Sequence, residues 1–136
     1  MNVNIVTNPH YQLIGGEAGI RALVKRFYEL MDTLPEATEV RAMHARNLKG
    51  SEEKLFLFLS GWLGGPDLYV QKYGHPRLRM RHMPFAIDST ARDQWMRCMR
   101  QAMEDVGLDD ALRNQLDSAF LKVAESMRNR PDQPSA

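Results

Sequence analysis

Apolar residues recur along this chain at steps of three and four, the spacing that places side chains on one face of an α-helix. Ile20, Leu23, Val24, Phe27, Tyr28 and Met31 form the first stripe, between the glycine pair Gly15-Gly16 and Pro35, and predict a helix of about four turns. A second stripe, Leu55, Phe58, Leu59 and Trp62, follows Ser51, whose hydroxyl suits a helix amino-terminal cap, and stops at Gly64-Gly65-Pro66. The third, Trp95, Met96, Met99, Ala102, Met103 and Val106, begins near Asp88 or Ser89 and closes at Gly107. Leu112, Leu116, Ala119, Phe120, Val123 and Met127 form the fourth, with Asp109 as its predicted cap. Strand-like alternation is scarce. Amphipathic helices on short connections predict an all-α domain whose stripes face one another.

Two segments break the pattern, 35–50 and 64–87, where periodicity weakens and Gly, Pro and His accumulate. They predict winding chain laid over the core, the kind of segment that often carries sites. The ends read as loose: a flexible amino-terminal segment over 1–10, a domain over 11–128, and a disordered tail over 129–136 that includes "RPDQPSA".

Composition narrows the function classes. The chain has 136 residues, enough for one domain that buries roughly two-thirds of its unfolded surface and can hold a pocket. Its 18 Lys and Arg nearly balance 17 Asp and Glu, a net charge of +1. No global field therefore draws it to nucleic acid or an acidic membrane. A single cysteine, Cys98, excludes an intrachain disulfide and a thiolate metal site, implies a reducing compartment, and reads as a small buried hydrophobe. The start "MNVNIVTNPHYQ" lacks the form of a secretory signal, and "LFLFLSGWLGGP" is too short to cross a bilayer, so the expectation is a soluble, cytoplasmic protein.

The densest chemistry lies in "HPRLRMRHMPF", residues 75–85. Among His10, His44, His75 and His82 no pair has the spacing of a helical zinc site, and no nucleophile elbow or phosphate-cradling loop is present. His10 reads as solvent-exposed and His75, before Pro76, as structural. Three readings of the stretch remain: a solvated basic loop, a phosphate or nucleic-acid contact, or a site for an anionic, metal-bearing cofactor. Haem has the last shape, because its iron takes a protein nitrogen, its propionates take cations and its broad face takes apolar side chains. His82 stands beside Arg81, Met83, Phe85 and Ile87, which supply all three.

From Tyr11 to Met127 the chain resembles the group II truncated haemoglobins. The resemblance is carried by "GG" at 15–16, "VKRFYELM" at 24–31, "FLSGWLGGP" at 58–66, "YGHPRLRMRHMPF" at 73–85 and "RDQWMRCM" at 92–99. It implies a two-over-two helical sandwich around haem b, with an extended segment bearing the proximal histidine. His82 matches that iron ligand, Tyr28 the distal tyrosine and Trp95 the tryptophan that marks the group; His44 falls at an aromatic loop position. Ser51 stands where longer globins place a distal histidine or glutamine. Leu55 and Phe58 follow on the same helix face, and Met83, Phe85, Ile87 and Met99 are further cofactor contacts. Lys54 and Arg81 are implied as propionate partners, with Arg79 and Tyr69 as helpers.

The expected ligands are O2, NO, CO or peroxide. Tyr28, Trp95 and His44 as hydrogen-bond donors to a bound ligand would slow its escape, which favours redox chemistry, nitric oxide detoxification or a peroxidase-like reaction supported by an unidentified reductase, over oxygen transport. Tyr28 or His44 would also fall onto the iron when no ligand is bound. A reading from another class is a haem-free helical interaction domain that offers the cluster Arg77 to Arg81 to an acidic partner.

Overall fold

Residues 9–132 are described by the structure, a computed structural model, and all regular elements among them are helical. The long helices are α2 (Gly16–Thr33), α4 (Lys49–Trp62), α7 (Ser89–Asp105) and α8 (Asp110–Ser126). Short ones fill the winding segments: α1 (His10–Leu13), a 3-10 turn over Pro35–Ala37, α3 (Thr38–Ala42), α5 (Leu68–Tyr73) and α6 (Leu78–His82). Elements of one or two turns are too brief to show a hydrophobic period.

Two predicted caps form as expected. The Asp88 carboxylate accepts from the Ala91 N–H at 3.0 Å, and that of Asp109 from the Leu112 N–H at 2.9 Å. Ser51 is not a cap. Helix α4 begins earlier, at Lys49, whose N–H donates to Asn47 Oδ1 at 2.9 Å, and Ser51 sits inside the first turn.

Helices α2 and α4 pack as one pair and α7 and α8 as the other, with α2 lying across α7. The result is a two-over-two helical sandwich. Its centre is filled by Ile20, Leu23, Val24, Phe27 and Met31 of α2, Leu59 of α4, and Met96, Met99 and Met103 of α7, all within 1% of fully buried. Three methionines in one layer let an unbranched, adaptable side chain fill an irregular interface. Arg26–Asp105, at 2.7 Å, ties α2 to α7, and Arg100–Asp117, at 2.5 Å, ties α7 to α8. Such exposed pairs contribute at most about 1 kcal/mol each.

Both chain ends depart from expectation. Of the segment expected to be flexible, 1–8 lies outside the described residues, while His10 opens α1 and the Tyr11 N–H donates to the Leu63 carbonyl at 2.8 Å. His10 is half-buried rather than solvent-exposed, with Nε2 3.0 Å from Gln115 Oε1. Residues 129–132, expected to be disordered, are hydrogen-bonded to 82–89; 133–136 lies outside the described residues. No helix among the described residues is long and apolar enough to cross a membrane.

The turn into α2 needs glycine for two reasons. Gly15 has φ of 103°, and a Cβ on Gly19 would lie 1.8 Å from the Ile14 carbonyl oxygen. Backbone cannot yield as a side chain can, so Gly19→Ala should cost about 3 kcal/mol or more. Gly50, with no atom within 4 Å of a built Cβ, is the control: Gly50→Ala should be neutral or stabilise by up to about 1 kcal/mol. Urea unfolding of both variants checks the contrast.

Candidate functional site

The site begins with α6. Arg77, at φ 48°, adopts the left-handed conformation just before it, and its N–H donates to His75 Nδ1 at 3.1 Å, so His75 is structural as expected. That turn sets α6 so that the Leu78 carbonyl lies 2.7 Å from His82 Nδ1. A carbonyl can only accept, so Nδ1 carries the proton. Nε2 is then left with a free lone pair, the form in which imidazole binds a metal. His82 is half-buried, and Met83 (48% exposed) and Phe85 (40%) after it are large apolar side chains left uncovered by the protein.

Tyr28 and His44 meet edge to face, with ring centroids 5.8 Å apart. Phe27 packs between Tyr28, at 4.9 Å, and Trp95, at 5.0 Å. Neither the Tyr28 hydroxyl nor the Trp95 indole N–H has a hydrogen-bond partner among the described residues, although Tyr28 is only 7% exposed and Trp95 half-buried. Buried phenols and indoles normally find one. Burial, with the nearby Glu52 charge adding to it, pushes the Tyr28 phenol far above its ordinary range, so it remains a neutral donor.

His44 departs from expectation in its role. Burial, opposed by the Val40 carbonyl and aided by Arg41 and His82, lowers its pKa below the ordinary value, so the ring is neutral near pH 7. Its Nδ1 lies 2.8 Å from the Val40 carbonyl and must hold the single proton. Neutral His44 therefore presents an acceptor at Nε2, not a donor.

Ser51, Leu55 and Phe58 line one half-buried stripe of α4, while Phe56, Leu57 and Leu59 face inward. Phe58 meets Tyr69 edge to face at 6.4 Å, and Tyr69 carries the Arg81 guanidinium 6.0 Å above its ring. Lys54 is exposed, 5.7 Å from the Tyr73 ring. Neither Lys54 nor Arg81 has a carboxylate partner among the described residues. Two expected contacts are reassigned. Arg79 Nη1 donates to the Ser126 and Arg128 carbonyls at 2.5 and 2.9 Å, at the end of α8. Met99 is fully buried in the core, whereas Ile87, 8% exposed, lies apart from that core, beside the end of the chain. Cys98 is also fully buried, which pushes its thiol up to about 11.

Sequence reasoning missed the spacer role of Phe27, the Gln94 Oε1 that accepts from the Val40 N–H at 3.0 Å and so holds the His44 loop, and Asn129. Phe27 lies in a visible stripe, but nothing in the spacing marks Gln94 or Asn129.

A helical sandwich that carries a tautomer-locked histidine beside uncovered apolar side chains has the make-up of a haem-binding helical protein. The Bacterial-like globin family matches residues 9–129. Group 2 truncated hemoglobin YjbI of Bacillus subtilis is 36% identical over 92% of each chain. Among solved structures, the cold-adapted truncated hemoglobin of Pseudoalteromonas haloplanktis is 46% identical, with a TM-score of 0.87 over 91% of this chain and 99% of that one. The group II 2-on-2 hemoglobin of Agrobacterium tumefaciens is also 46% identical, with a TM-score of 0.87 over 96% and 99%. The chain belongs to the bacterial-like globins, among their group II truncated haemoglobins. Haem b is the cofactor of that family. The residues present fit it, because one neutral imidazole nitrogen, uncovered apolar side chains and unpaired cations are the groups its iron, ring and propionates need.

The neutral His44 has a consequence for stability. Its unfolded form takes up a proton near 6.5, at higher pH than the folded form. Unfolding therefore binds a proton on acidification, and stability falls as pH drops through that value. His44→Gln should flatten the decline between about pH 7.5 and 5. Thermal melting of both proteins across that range is the measurement.

Proposed function

We propose that this chain binds diatomic ligands at a haem held by His82 Nε2, and that it turns them over by redox chemistry rather than carrying oxygen. The observation that carries the reading is that the Tyr28 hydroxyl and the Trp95 N–H, on side chains that flank Phe27, make no hydrogen bond to another side chain or backbone group among the described residues. When bound, haem supplies an iron that coordinates a small ligand and places partial negative charge on it. Tyr28 and Trp95 donate to that charge, and each such hydrogen bond adds roughly 1.5–3 kcal/mol. Ligand escape slows accordingly, which suits conversion of nitric oxide and dioxygen to nitrate, or peroxide reduction, better than delivery. Lys54, Arg81 and Tyr69 would hold the acidic edge of the cofactor, and Leu55, Phe58, Met83, Phe85 and Ile87 would exclude water from its face.

Converting nitric oxide plus dioxygen to nitrate consumes an electron in each turn, so a reductase is required as partner, and a cytoplasmic setting supplies one. Of the two candidates for occupying the iron when no ligand is present, His44 is the better. Its Nε2 lone pair is free, whereas burial keeps the Tyr28 phenol protonated. The rival reading, an acidic partner docking on Arg77 to Arg81, is weakened because Arg79, at the centre of that cluster, donates to two backbone carbonyls.

His82→Ala should abolish the Soret band of the purified protein; retained pigment would refute the ligand assignment. Tyr28→Phe and Trp95→Phe should each speed oxygen release by roughly tenfold to a hundredfold, read by stopped-flow displacement. In the ferric protein at neutral pH, low-spin bands should be present in the native chain and absent in His44→Leu. Mixing the oxygen-bound form with nitric oxide should yield nitrate stoichiometrically, and its failure would leave peroxide as the substrate to test.

A further inference from the structure

We propose that Asn129 is a positioning residue for the iron ligand, fixing the backbone of His82 from the far end of the chain; this rests on reading His82 as that ligand. Helix α6 has only five residues and no side-chain cap, and 83–88 after it contains neither helix nor strand. One turn of helix does not hold itself in place. Something outside must set the position of the imidazole, and the Leu78 carbonyl cannot do it alone because it moves with the same turn.

The chain beyond α8 supplies the constraint. It runs back along the histidine segment, and Asn129 bridges both ends of the irregular stretch. Its Nδ2 donates to the His82 carbonyl at 3.1 Å, while its Oδ1 accepts from the Ile87 N–H at 2.9 Å. The Asn129 and Arg130 N–H groups both donate to the Ile87 carbonyl, at 2.9 and 3.1 Å. Arg79, one turn before the histidine, grips the Ser126 and Arg128 carbonyls, and Asp132 Oδ1 accepts from the Ser89 N–H at 3.0 Å. A carboxamide offers a donor and an acceptor on two separate atoms of one short stem, so it can reach both backbone groups at once. An aspartate would keep the Ile87 bond and face the His82 carbonyl with a second acceptor. The clasp therefore joins the ligand's own main chain to the segment that follows α8, and slack at 129 becomes slack at the imidazole.

The test uses the full-length holoprotein with Asn129→Ala and Asn129→Asp. Both should lose haem to an excess of a scavenging apoglobin about tenfold faster than the native chain, in line with the usual effect of removing a supporting partner of a metal ligand. Both should also shift the iron–imidazole stretching band of the ferrous unliganded protein, a signature that general loss of stability does not move. Thermal melting of the two apoproteins gives the structural contribution separately. Unchanged haem loss and an unchanged band in both variants would overturn the proposal, whatever the melting points. Native behaviour in Asn129→Asp alone would overturn it too, because the His82 contact would then be irrelevant. If His82→Ala keeps its pigment, the ligand reading fails; if it is colourless while the Asn129 variants behave as native, only the clasp does.

Discussion

The hydrogen bond from His82 Nδ1 to the Leu78 carbonyl is the interaction on which the site depends. It decides which ring nitrogen carries the proton and so which one can bind a metal. The bond exists because α6 is helical for one turn, and α6 starts where it does because Arg77 takes a left-handed conformation steadied by His75. Three residues of local geometry thus prepare the chemistry of a fourth. The arginines nearby also serve the backbone: Arg79 donates to carbonyls at and just past the end of α8, and Arg81 to the Pro76 carbonyl ahead of α6.

Around that centre the aromatic side chains form a connected rail. His44 meets Tyr28, Tyr28 meets Phe27, Phe27 meets Trp95, and Trp95 meets Phe120, which stacks on Trp62 at 4.8 Å. Trp62 continues to Phe58, then Tyr69 and Tyr73. The rail crosses from the distal donors to the edge where Lys54 and Arg81 lie. Ring contacts of this kind are each worth about 0.5–1.5 kcal/mol beyond burial.

Electrostatics are sorted by depth. Deep groups are kept neutral by burial, as with the Tyr28 phenol, the His44 ring and the Cys98 thiol. Full charges sit outside, where the ion pairs lace α2, α7 and α8 together. Lys54 and Arg81 are among the exposed cations with no acid opposite, and they lie beside Tyr73 and Tyr69. A neutral interior with unpaired cations at its rim is the arrangement an apolar ring with an acidic edge requires.

The long helices were legible in the chain itself, because a period of 3.6 repeated over four turns needs no tertiary information, and because Asp88 and Asp109 cap their own helices. Motif likeness marked His82, Tyr28 and Trp95, since each sits in a contiguous run of characteristic residues. What spacing alone left open was every choice made across the fold. Arg79 turned to α8, Met99 went to the core, and His44 became an acceptor at Nε2 because its Nδ1–H donates to the Val40 carbonyl. The end of the chain, polar and rich in proline, has the composition of a loose tail, yet residues 129–132 are held by bonds to the backbone of 82–89. Local pattern reports which face of a helix seeks cover; which carbonyl a side chain meets depends on segments distant in the chain, and only the packed molecule brings those together.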